Sequence, residues 1–73
     1  MGTYKEVKSL EERMFQLMCD TGKAMFLMNK EGVRTGLATT KLLNDEYKKI
    51  TQTDYVKPDY FEKQYTKLQN GCL

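Results

Sequence analysis

Met14-Phe15-Gln16-Leu17-Met18-Cys19-Asp20-Thr21-Gly22-Lys23-Ala24-Met25-Phe26-Leu27-Met28-Asn29-Lys30-Glu31-Gly32-Val33-Arg34-Thr35-Gly36 is the run on which the fold turns. Three glycines divide it. Gly22 either caps a helix that ends there or sits inside one at a cost of roughly 1 kcal/mol relative to alanine. If the helix runs through, Met14, Met18, Met25 and Met28 fall within about 80° of each other at 100° per residue, on the stripe of Val7, Leu10 and Thr21. Phe15 and Phe26 then stand together about 100–120° away from the methionines. One face of a helix does not hold both sets.

The second half of the run is open to two readings. Asn29-Lys30-Glu31-Gly32 has the residues of a hairpin turn, which would make 24–37 a short two-stranded ribbon. Isolated ribbons are weak, and strong helix formers lie on both sides, so the helical reading is preferred and the hairpin is its variant. Gly32 then serves as a helix stop.

Outward from this run the signals are helical. Thr3 with Glu6 and Ser9 with Glu12 each fit a capping box, so a first helix is expected from residue 3 or 9. Tyr4, Val7, Leu10, Met14, Leu17, Met18 and Thr21 recur every three or four residues, the spacing of one helix face. Thr39 or Thr40 is expected to cap a later helix bearing Leu42, Leu43, Tyr47 and Ile50, with Lys48 and Lys49 suiting the dipole of its last turn. Thr51-Gln52-Thr53-Asp54 is a polar break. Pro58 opens a last helix carrying Phe61, Tyr65 and Leu68, and Gly71 stops it. The expectation is one all-α domain over 1–73, a bundle of three or four helices near 3–21, 23–31, 39–51 and 58–69, or α+β if the 24–37 hairpin forms. Leu10, Met14, Leu17, Met18, Leu42, Leu43, Ile50, Phe61, Tyr65 and Leu68 are its expected core.

Composition narrows the function. The chain has 73 residues, no histidine and two cysteines, with twelve Lys and Arg against ten Asp and Glu. Cys19 and Cys72 have neither zinc-ligand nor redox-motif spacing, so no metal and no cofactor is expected. Sparse cysteines and no visible export signal point to reduced thiols and the cytoplasm. The longest apolar run, Ala24 to Met28, is too short for a membrane span, and Asn70-Gly71-Cys72-Leu73 is not a prenylation box.

Catalysis would rest on carboxylates, lysines or tyrosines alone, and the adjacent acids Glu11-Glu12 and Asp45-Glu46 diverge by about 100° on a helix. No enzyme is expected. Thr21-Gly22-Lys23 lacks the rest of a phosphate loop.

Two binding functions remain. The first is a small regulatory or interaction protein that docks Phe15, Met18, Met25, Phe26 and Met28 onto a partner protein or a second copy of itself, since thioethers re-pack readily and aromatic rings anchor interfaces. The five tyrosines add interface-type surface. The alternative is a helix-turn-helix-like DNA- or RNA-binding regulator using Lys30, Arg34, Lys41, Lys48 and Lys49. A turn at Gly32 buries Glu31 and Lys41, and one at Gly36 buries Glu31 and Asp45, so the motif fits poorly. Compactness alone suggests a bacterial, phage or mobile-element accessory protein.

Overall fold

Gly22 does not end the first helix. In the computed structural model, which describes residues 4–71, α1 runs unbroken over Tyr4–Phe26. Gly22 lies on its exposed side, and a Cβ there would meet nothing within 4 Å. Helix α2 spans Lys30–Thr51 and α3 spans Pro58–Asn70, so the described residues form three helices and no strand.

The 24–37 ribbon is therefore not formed; residues 23–26 of the expected helix 23–31 finish α1, 27–29 make the turn, and the rest runs on with the expected helix 39–51 as a single α2. The physical reason is the chemistry of the turn. Met28 takes a left-handed conformation, φ +58°. Its N–H bonds to the Met25 carbonyl at 3.1 Å, and the Asn29 N–H bonds to the Ala24 carbonyl at 2.7 Å. That pair of bonds is a Schellman cap, which satisfies the last carbonyls of α1. Asn29 then turns round at once: its side-chain oxygen accepts from the Gly32 N–H at 3.1 Å and caps α2. One residue thus closes one helix and opens the next.

Gly32 and Gly36 are not stops but points of close approach. A Cβ on Gly32 would lie 3.1 Å from the Ala24 Cβ and 2.6 Å from the Asn29 amide nitrogen. A Cβ on Gly36 would run into the Thr21 hydroxyl and sit 3.3 Å from its Cβ. Small residues let α1 and α2 close against each other near the turn. Larger ones fill the interface beyond it, where Leu10, Met14, Val33, Leu37 and Leu43 are buried. At the far end the Tyr47 hydroxyl donates to Glu11 at 2.8 Å and joins the two helices again.

Several expected caps fall inside helices. Ser9 lies beyond the start of α1, and the Thr39 and Thr40 hydroxyls donate to carbonyls four residues back, Thr35 and Gly36. Thr3 and Cys72 lie outside the described residues. Pro58 does open α3, and Gly71 ends it at φ +68°.

Helix α3 is held differently. Among the described residues no Cα of α3 comes within 8 Å of α1, and few approach α2. Phe61 and Leu68 reach into the core across that distance, joined by Val56 from the connecting loop. The loop itself is fixed by buried Asn44. Its oxygen accepts from the N–H groups of Tyr55 at 2.8 Å and Val56 at 3.0 Å, and its amide donates to Asp54 at 3.1 Å.

Two core expectations, Leu42 and Tyr65, need correction. Leu42 is 67 % exposed, because the buried row of α2 runs through Val33, Gly36, Leu37, Thr40, Leu43 and Asn44, and Leu42 is turned about 100° from Leu43. Tyr65 is exposed, since α3 faces inward through Phe61, Gln64 and Leu68 rather than at i+4 from Phe61. Gln64 Oε1 is buried there with no partner among the described residues. Tyr4, expected on one face with Leu10 and Met14, is exposed, being about 100° from the centre of the Leu10, Met14 and Thr21 stripe. The expected core residues Leu10, Met14, Leu43, Phe61 and Leu68 are buried, with Leu17, Met18 and Ile50 packed at its edge.

Candidate interaction surface

Phe26 ends α1 and Leu27-Met28 make the turn into α2, so three successive apolar side chains stand in solvent at the hairpin tip. Their exposures are 88 %, 73 % and 66 %. Phe15, at 61 %, lies eleven residues before Phe26 and therefore on nearly the same line of α1, about 20° apart. Tyr4 lies eleven residues before Phe15 and is 76 % exposed. These rings form a ridge along the outer side of α1, with Cys19 and Gly22 exposed between Phe15 and Phe26.

The methionines divide. Met14 is fully buried, and Met18 and Met25 are partly buried against the core. Met28 leaves the stripe because α1 stops at Phe26 and the cap turns it outward. Of the five side chains expected to meet a partner, Phe15, Phe26 and Met28 are thus presented to solvent, while Met18 and Met25 mostly complete the interior. Sequence reasoning missed Tyr4 and Leu27 as members of this surface. The eleven-residue recurrence of Tyr4, Phe15 and Phe26 was the readable signal for the first, and the unbroken apolar run for the second.

The basic residues of α2 also have an order. Lys30, Arg34, Lys41 and Lys48 fall within about 40° on one side, and Lys49 is turned roughly 60–100° from them. Carboxylates interrupt the row: Arg34 pairs with Glu31 at 2.9 Å, and Lys48 Nζ is 4.0 Å from Asp54. Lys41 and Lys48 border a groove of about 690 Å³ between α2 and α3, whose walls also include Asp45, Asp54 and Glu62 over Val56 and Phe61. The groove mixes both signs of charge.

The one cross-helix contact between titratable groups described above, Tyr47 with Glu11, is structural in character. The hydrogen bond to Glu11 raises the Tyr47 hydroxyl above the ordinary tyrosine range, with desolvation adding to it. Its ring also packs edge-on against Tyr55 at 5.6 Å. Burial raises Tyr60 in the same direction. Among the described residues no group of three or more Cys, Asp or Glu is placed to hold a metal ion, and no helix is long and apolar enough to cross a membrane.

Fold and surface together define a class: an all-helical protein made of a tight αα-hairpin with a short third helix and an aromatic ridge on its outer side. Comparison with protein families, with curated proteins and with solved structures finds no match, so its functional reading rests on its own geometry.

Proposed function

We propose that this chain is a non-enzymatic interaction or regulatory protein that works by docking the ridge of Phe15 and Phe26, with Leu27 and Met28 at the hairpin tip, onto a protein surface. The observation that carries this is the exposure of two phenylalanines, at 61 % and 88 %, on one line of a continuous helix. Buried aromatic anchors supply a large share of interface energy, and a rigid helix presents them with little ordering cost. Cys19, exposed and in no disulfide among the described residues, suits a reducing compartment, and a cytoplasmic setting is part of this proposal. The test is affinity capture from the native host, comparing the unaltered chain with Phe15→Ala/Phe26→Ala. Loss of specifically captured protein, with helicity retained by circular dichroism, is the expected result. An unchanged set of captured proteins refutes the reading.

A nucleic-acid function has one observation in its favour, the alignment of Lys30, Arg34, Lys41 and Lys48 along α2. Two of those four already have carboxylate neighbours, and the helices meet in a tight hairpin at 27–29 rather than at Gly32 or Gly36. Phosphate binding by this row would weaken steeply with salt and with Lys41→Glu. No retardation of duplex DNA or RNA at low salt removes it.

A further inference from the structure

Resting on the docking reading above, we infer that the occupant of the ridge is a second copy of this chain, paired antiparallel along α1 about a two-fold axis at Phe15. Tyr4, Phe15 and Phe26 are equally spaced by eleven residues, so aromatic rings fall at the same places along the ridge in either direction. Reversing one copy about Phe15 sets Phe15 against its own counterpart and Tyr4 against Phe26 at each end. Eleven residues make three turns at 3.67 residues per turn, so the line stays on one side of a nearly straight helix over its whole length. An isologous contact requires this kind of self-complementary patch.

Gly22 gives the second argument. It is an interior helix glycine whose missing Cβ faces open space, so nothing within the folded chain requires it. It stands on the ridge between Phe15 and Phe26, and in the reversed pairing it faces Lys8 of the other copy. A long side chain can lie across a glycine, whereas a branched residue would hold the helices apart. The area is adequate as well. Aromatic side chains offer about 150–250 Å² each, so three rings at the observed exposures present roughly 350–550 Å² per copy. With Cys19 and the stem of Lys8 added, two copies reach about 1,000 Å², the threshold of a specific interface.

Pairing of apolar rings is strengthened rather than weakened by salt, the opposite of phosphate binding. Sedimentation equilibrium over a micromolar concentration series tests the inference directly. The expected result is a monomer–dimer equilibrium whose dissociation constant rises at least about tenfold in Phe15→Asp and in Gly22→Leu, with helicity unchanged. Register is read from charge pairing. Tyr4→Lys and Phe26→Glu should each weaken the dimer, and the double variant should recover much of the loss, while Tyr4→Lys/Phe26→Lys should not. The two positions are about 33 Å apart along one helix, so recovery has no intramolecular route. A wild-type chain that stays monomeric throughout overturns the self-pairing, while the docking reading still stands or falls on the capture experiment. A dimer indifferent to Phe15→Asp and Gly22→Leu, or one not recovered by the paired charges, overturns the proposed arrangement.

Discussion

Replacing Gly36 with alanine adds one methyl group at a point of close approach between α1 and α2, where it would collide with the Thr21 hydroxyl. Helix propensity alone favours the change by about 1 kcal/mol. Against this stands the crowding of a packed interface, which costs roughly 1–3 kcal/mol. Thr21 has little room to yield: it is 1 % exposed, β-branched, and its hydroxyl donates to the Leu17 carbonyl at 2.8 Å. Turning it aside forfeits that bond, worth about 1 kcal/mol. The net expectation is a loss of about 1–3 kcal/mol. In a Thr21→Ala background the obstacle is gone, and Gly36→Ala should instead stabilise by the propensity term, about 1 kcal/mol. The double-mutant cycle, measured by urea unfolding, should therefore show a coupling of roughly 2–4 kcal/mol. Gly22→Ala, with open space at its Cβ, reports propensity alone when measured where the chain is monomeric. A coupling within the roughly 0.5 kcal/mol scatter of independent sites would refute the close approach of Gly36 and Thr21.

Asn44→Ala strips partners from two backbone N–H groups and should cost about 2–5 kcal/mol, with amide exchange accelerating first in 53–70, because α3 has little else fixing it. Met28→Gly should stabilise the fold by about 0.5–1 kcal/mol in thermal unfolding, since glycine occupies the left-handed conformation without steric cost, and a loss of stability would contradict the cap described for 24–29. Tyr47 and Tyr60 have raised values in the folded chain, so the stability they contribute is complete below the ordinary tyrosine range near pH 10 and declines as pH rises through their folded values. Urea midpoints between neutral and strongly alkaline pH should fall less steeply in Tyr47→Phe than in the unaltered chain; parallel curves would mean that the Glu11 contact does not operate.

Legibility in the sequence followed periodicity. The helical class, the start of α3 at Pro58, its stop at Gly71 and the inward stripe of Leu10 and Met14 depend on spacing and on residues with strong backbone preferences, both local properties. The exposed rings at Phe15 and Phe26 were also readable, because they stand off the apolar stripe of the same helix. Glycine was the residue that misled. Gly32 looked like a stop, yet its role and that of Gly36 is to leave room for Ala24, Asn29 and Thr21, and a missing Cβ is identical in sequence whether a turn or a neighbour demands it.

What the amino-acid order determined by itself was the kind of element at each place and the surplus of apolar side chains that no single helix face accommodates. Only the tertiary structure decided where the chain reverses, since Asn29 can serve two helices at once only when both are present to be capped. It also decided that Leu42 faces water and Leu37 does not, because a helix of this length offers apolar residues on more than one side and its neighbours choose which of them is covered.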